Sequence, residues 1–308
     1  MTRKDATLFV LLSAIWGSSF MFIKLGLLGG FGPLTLVAVR LFFGAGVMWL
    51  LAFRQGQYLP RRLSLLLGIA FMGLINNTLP FTLITWSEQY IDSGMAAILN
   101  STVPLFAVVF SHFALADESF TVRRGVGVLV GFLGVLVLLA PDLFFGVGGS
   151  HLIAQLAVIL ASAGYAVGSV FARKYLNGVA PAVLTATQLG FAFLWIIVPT
   201  LWFERPWMAE PEAMAWIAAL WLGVLGSGLA YLMFFVLLRS IGATPTTMVT
   251  YVIPLFAVVF GIVFLQERLR WQQLVALLLI ITGVWLVNRG NTEVGNQRPE
   301  IRSVSDTR

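Results

Sequence analysis

Arg40 stands about seven residues inside the apolar stretch 33–53, and its placement calls for a reason. If that stretch crosses a bilayer, an arginine at this depth costs at least about 2.5–3.5 kcal/mol unless it is paired or hydrated, so it must face protein or water. One reading makes it the counter-charge for a carboxylate or phosphate on a bound solute. The other makes it structural, capping helix ends or pairing with an acid such as Glu88 or Glu267. Lys24 lies nearer a stretch end, where its long side chain can snorkel to the surface. Trp16 falls about ten residues into its own stretch, roughly 15 Å deep. By contrast Trp49, Trp202, Trp207, Trp216, Trp271 and Trp285 fall near stretch ends, where tryptophan anchors a membrane interface. With Tyr165, Tyr231 and Tyr251, Trp16 could form an aromatic wall, and Asn76, Asn77, Asn100, Ser227 and Thr250 could supply its polar handles. Such a wall suits an amphipathic organic molecule, and core packing is the alternative for each residue.

Proline marks where the backbone around these residues loosens. Pro104 and Pro254 each free the carbonyl four residues earlier, those of Asn100 and Thr250. Asn76-Asn77-Thr78 ahead of Pro80 falls opposite Gly226-Ser227-Gly228 in the other half of the chain. Loosened backbone beside polar side chains at matching places is expected of discontinuous helices that line a site; close helix packing is the competing reading. Glu118 and Glu267 end their stretches on opposite sides and each precedes arginines, which suits ion pairs or gate contacts. Catalytic parts are missing. The chain has two histidines, no cysteine, no HExxH pattern and no P-loop, so we expect no catalytic residue, no metal site, no cofactor and no enzyme activity.

The elements that must position these residues follow from composition. Hydrophobic residues make up 59% of the 308 and charged residues 10%, far below the roughly 25% usual for soluble domains. Ten apolar stretches fill the chain, at 7–27, 33–53, 64–86, 93–115, 123–140, 152–172, 181–203, 214–237, 243–265 and 271–288. Each is about the length that crosses the hydrocarbon core as a helix, and their continuous apolarity excludes a β-barrel. The net charge of +6 does not point to nucleic acid, because the basic residues sit at stretch ends. With the N-terminus in the cytoplasm, fourteen of the nineteen lysines and arginines lie inside and only Arg205, Arg268 and Arg270 outside, so both termini are expected to be cytoplasmic. The polar segment 290–308 reads as a disordered cytoplasmic tail.

The chain repeats itself. The seven residues Pro104 to Phe110 recur identically as Pro254 to Phe260, and the match extends from Trp16 opposite Tyr165, through Lys24 opposite Arg173 and Arg40 opposite Gln188, to Gly134 opposite Gly283. Residues 1–141 and 142–289 therefore each hold five helices, and an odd number forces the second copy to enter the membrane from the other side. The predicted fold is an all-α polytopic membrane protein, ten transmembrane helices in two inverted five-helix repeats. That plan is common among secondary transporters, whose halves rock about a midplane site; a duplicated scaffold with no transport path is the alternative.

Trp16-Gly17-Ser18-Ser19-Phe20 with Lys24, Pro33 followed by Arg40, and Pro104 followed by Glu118, the last repeated as Pro254 and Glu267, resemble the drug/metabolite transporter superfamily, specifically its EamA-type ten-span branch. The resemblance covers about residues 6–288. It implies a carrier of small organic metabolites, amino acids or drugs, often an exporter, in a bacterial inner membrane. It departs at Gln188, so no symmetric role for Arg40 is implied. The partners expected are a small-molecule solute and the lipid bilayer, with a homodimer open through the Gly127 and Gly131 face. A channel or a non-transport membrane subunit is the rival class; it would lack saturable counterflow. With its acids at stretch ends, the chain is expected to run facilitated or exchange transport of a neutral or zwitterionic solute.

Overall fold

A computed structural model describes residues 2–115, 121–145, 149–176, 178–242 and 246–295. Ten helical elements fill it: α1 (Arg3–Leu28), α2 (Pro33–Arg54), α3 (Leu63–Ser87), α4 (Ser93–Ala114), α5 (Val122–Phe145), α6 (Gly149–Tyr175), α7 (Pro181–Glu204), α8 (Ala213–Ile241), α9 (Val249–Leu265) and α10 (Trp271–Gly295). The first eight are long and apolar enough to cross a bilayer; α9 and the apolar part of α10 are shorter. Helices are what the solvent dictates, since hydrocarbon offers backbone amides no partner outside their own segment. Ten crossings place the start of α1 and the end of α10 on one side, here the terminal face, and the α1–α2 connection on the other, the far face. The helix of the last span runs on to Gly295, past the point where the tail was expected to begin. Residues 296–308, like Glu118, lie outside the described residues.

Large apolar side chains such as Phe42, Leu133, Leu160, Leu194, Val259 and Leu278 point outward, as a lipid-facing surface requires, while Leu12, Leu36, Leu41, Ile98, Leu99, Leu189 and Leu222 close the interior. Packing contacts come in related pairs. α1 lies against α8 and α9, as α6 lies against α3 and α4; α2 packs on α8, as α7 packs on α3; α2 meets α7, and α5 meets α10. The α5–α10 contact is backbone on backbone: a Cβ added to Gly283 would stand 2.5 Å from the Gly127 carbonyl oxygen and 2.6 Å from the Gly131 nitrogen. The glycine face considered for a homodimer is therefore occupied within the chain by α10.

The helix breaks are only partly the expected ones. α3 carries a π-helical turn at Leu74–Thr78 ahead of Pro80, and α8 carries one at Trp221–Leu229, so Asn76-Asn77 and Gly226-Ser227-Gly228 share the same loosened geometry. α4 breaks at Ser101 and Thr102 and resumes at Val103, with Pro104 in its first turn. α9 is continuous through Pro254; the turn lies earlier, at Met248. The side chains at the two places differ. The Ser101 and Thr102 hydroxyls bond the carbonyls of Ile98 and Leu99 (2.7 Å for Thr102), satisfying a broken turn. At the corresponding positions Val252 has no hydroxyl and the Tyr251 hydroxyl bonds α10 instead, and α9 stays helical there.

Candidate functional site

Arg40 projects from the second turn of α2 into the contact between α2 and α8. Small residues make that contact close enough for it: a Cβ at Gly223 would stand 2.8 Å from the Arg40 carbonyl oxygen, and one at Gly44 2.9 Å from Ser227 Cβ. The side chain is buried, its Nε donates to Ser227 Oγ at 2.9 Å, and its guanidinium lies 3.8 Å from the centroid of the Phe81 ring on α3. It makes no ion pair among the described residues. The pairing with Glu88 or Glu267 that a structural role would use is absent among the described residues.

Two tyrosines, Tyr165 and Tyr231, belong to the second half of the chain and face aromatic partners, Phe81 and Trp16, from the first. Tyr165 on α6 has its ring 6.5 Å from Phe81, and Tyr231 on α8 stands edge-on to Trp16 at 6.0 Å. Trp16 Nε1 donates to the Gly226 carbonyl oxygen at 3.1 Å, a group released by the π turn of α8. Trp16, Tyr165 and Tyr231 are all half-buried, so the aromatic surfaces around Arg40 are not sealed by packing. On the α3 side, Asn77 accepts a hydrogen bond from Gln188 of α7. Its amide nitrogen, with no bond of standard geometry, faces the Tyr231 hydroxyl.

The arrangement is a two-fold figure with one odd member. Arg40 on α2 bonds Ser227 in the π turn of α8; Gln188 on α7, its repeat counterpart, bonds Asn77 in the π turn of α3. Both π turns bring a polar residue to the interface of the halves, consistent with the frequent placement of such turns at functional sites. Chemically the group offers one fixed positive charge, aromatic faces and hydroxyl and amide handles, enough to orient an organic molecule with one anionic end.

Other expected site residues lie elsewhere. The Ser162 hydroxyl of α6 approaches Asn100 Oδ1 at 3.4 Å, and Thr250 donates to the Thr247 carbonyl on its own helix. The Tyr251 hydroxyl turns away to the Val284 carbonyl of α10 at 2.9 Å. Asn76 lies against Gly168, where a Cβ would stand 2.5 Å from its Oδ1. Phe81 and Gln188, absent from the sequence-based set, are part of the Arg40 group.

Acids close the far face across the halves. Glu267 accepts from the backbone amides of Ser93 (2.7 Å) and Gly94 (3.1 Å) at the start of α4. Glu204 accepts from the amides of Leu34 (2.8 Å) and Thr35 (2.7 Å) and from the Thr35 hydroxyl (2.7 Å) at the start of α2. Each carboxylate meets the positive end of a helix dipole. Lys24 does not snorkel: its ammonium donates to the carbonyls of Glu88 and Ile91, tying α1 to the end of α3.

The profile of the EamA-like transporter family matches this chain twice, over residues 4–140 and 152–289. The uncharacterized transporter YoaV of Bacillus subtilis is 27% identical over 281 residues, covering 88% of this chain and 92% of its own. The uncharacterized inner membrane transporter YedA of Escherichia coli K12 is 29% identical over 280 residues, covering 90% and 88%. A WAT1-related chloroplastic protein of Arabidopsis thaliana is 24% identical over 282 residues, covering 89% of this chain and 66% of its own. A solved crystal structure at 18% identity superposes with a TM-score of 0.67 over 96% of this chain and 99% of that one, a likeness of fold.

Proposed function

The chain belongs to the EamA-like transporter family and is an integral membrane transporter of small-molecule solutes, and we propose that its cargo is a small organic metabolite with one anionic group, an amino acid or a related amphipathic solute, carried outward by alternating access. The halves 1–141 and 142–289 rock about the Arg40 group. The membrane is a bacterial inner membrane, with the terminal face cytoplasmic and the far face outside. The family and the printed names of the relatives support transport rather than catalysis.

One observation carries the choice of cargo: a buried arginine bonded to a neutral hydroxyl, with no acid paired to it among the described residues, beside aromatic rings from both halves. A charge held in low dielectric without a counter-ion favours an anionic partner far more strongly than the same charge in water. The aromatic faces then select an apolar body beside that group.

The test is counterflow in proteoliposomes with a mixed pool of amino acids, nucleosides, sugars and cationic dyes, comparing the intact protein with Arg40→Gln, Trp16→Ala and Asn100→Ala. Arg40→Gln installs the residue that the second half already carries at this place, so folding is expected to survive. Saturable counterflow of carboxylate-bearing solutes, reduced roughly tenfold or more in Arg40→Gln and in Trp16→Ala, is expected from loss of a charge-assisted contact and of the aromatic wall. Asn100→Ala, outside the Arg40 hydrogen bonds, is expected to have a smaller effect. Movement of neutral or cationic solutes alone, undiminished in Arg40→Gln, would overturn the assignment.

A further inference from the structure

Glu88 sits in the connection between α3 and α4, at a span end where an acid is expected to be solvated or paired. It is neither. The residue is 0% exposed, and among the described residues neither carboxyl oxygen has a hydrogen-bond partner. The charged groups that face it come from three other elements: Lys24 of α1, Glu267 of the α9–α10 connection and Arg40 of α2. All three are engaged elsewhere. The Lys24 ammonium is spent on the main-chain carbonyls of Glu88 and Ile91, Glu267 on the amides of Ser93 and Gly94, and Arg40 on Ser227 and the Phe81 ring. From α6, the Ala154 carbonyl approaches this connection and is taken by the Ser87 hydroxyl at 2.9 Å.

A dry carboxylate without a donor is among the costliest groups a protein can hold, and the usual resolution is to keep the proton. Burial accordingly holds the Glu88 carboxyl well above the usual carboxylate range, with Lys24 and Arg40 opposing and Glu267 reinforcing the shift. The surrounding contacts are those that close the far face across the halves, so opening that face would admit water to Glu88.

We propose that Glu88 is a proton-binding site linked to the far face: closure buries the carboxyl with its proton, and opening hydrates it and releases that proton to water on the far side. The link to opening rests on the transporter reading above; the bound proton does not. Because the closed state binds the proton more tightly, acid on the far side stabilises closure. That advantage is lost as pH rises through the raised closed-state value, and the far face opens.

Two measurements on the intact purified protein test this. The first is infrared difference spectroscopy across a pH titration, in which a protonated-carboxyl band persisting at neutral pH should vanish in Glu88→Gln and move in Glu88→Asp. Identical neutral-pH bands in all three proteins would overturn the site. The second uses the absence of native cysteine. Ile91, 1% exposed, and Tyr90, 43% exposed, are replaced singly by cysteine and labelled with a membrane-impermeant maleimide. The Ile91→Cys to Tyr90→Cys rate ratio cancels most of the thiol's own pH dependence. It should rise by up to about tenfold for each pH unit through the transition, and stay flat with Glu88→Gln added. A flat ratio in both backgrounds would overturn the link to opening. Absence of solute flux would sink the transporter reading while leaving the infrared result standing, so the two failures are distinguishable.

Discussion

Replacing Ser227 with alanine should cost about 2 kcal/mol of stability, and the cost should depend on Arg40. Ser227 is fully buried and Arg40 nearly so, and the 2.9 Å bond from Nε to Oγ joins a charged donor to a neutral acceptor. Hydrogen bonds to charged groups contribute about 1.5–3 kcal/mol net. Measured interhelical hydrogen bonds in membranes average only about 0.6 kcal/mol, because the unfolded chain in lipid also finds partners. The charge and complete burial of this pair place it above that average. Alanine keeps the Cβ that faces Gly44, so only the oxygen is lost, and the Phe81 contact is untouched. The assay is a double-mutant cycle by reversible unfolding in mixed micelles, with Ser227→Ala, Arg40→Met and the double variant. In the Arg40→Met background the alanine should cost under about 0.5 kcal/mol, since no charged donor remains. Equal costs in both backgrounds, or a coupling energy below about 0.5 kcal/mol, would refute the reasoning.

Glu204→Gln leaves the α2 N-terminus with a neutral cap and sets an amide NH2 against one of three donors, so a loss of about 2 kcal/mol in thermal unfolding is expected, with faster hydrogen exchange at the amides of Leu34 and Thr35; unchanged exchange there would argue against the cap. Gly283→Ala should force α5 and α10 apart and cost about 3 kcal/mol, read as loss of the monodisperse fraction in size-exclusion chromatography. Gly46→Ala on α2, with nothing within 4 Å of the added methyl, should instead be neutral or gain up to about 1 kcal/mol.

The ten spans could be read from sequence because a bilayer leaves one backbone solution and the apolar stretches have its length. The pairing of the two π turns was legible too, since Asn76-Asn77-Thr78 and Gly226-Ser227-Gly228 share the repeat offset. Gln188 carries a signal in the sequence. It is an arginine lost from the repeat, yet offsets close to 150 relate Arg40 to Gln188 and Asn77 to Ser227, and hence one hydrogen bond to the other. Phe81 carried none, since one phenylalanine in an apolar run resembles the next until a guanidinium is found over it. Glu88 and Glu204 were hidden for a different reason. A span-end acid is exposed or buried according to which distant segments close over it, and here those are α1, the α9–α10 connection and the amides of α2, none adjacent in sequence. Tyr251 shows the limit of arguing from depth. Its side chain leaves α9 toward α10, and helical phase rather than depth decides that direction.

The inexact symmetry of the Arg40 group bears on whether the charge serves the scaffold or a solute. Two related positions on α2 and α7 each reach into a π turn of the other half and make a side-chain hydrogen bond. One does so with a guanidinium and the other with a neutral amide. The neutral pair shows that this fold closes the contact without any charge. The charged pair bears an insertion cost of at least about 2.5–3.5 kcal/mol that its counterpart avoids, and it is offset locally by one neutral hydroxyl and one aromatic ring. An arginine kept for packing would be expected beside an acid, and Glu88, a buried acid without a hydrogen bond among the described residues, makes none to it. The charge is thus surplus to the helix contact, and an anionic group entering between Tyr165, Tyr231 and Trp16 is the partner that would use it.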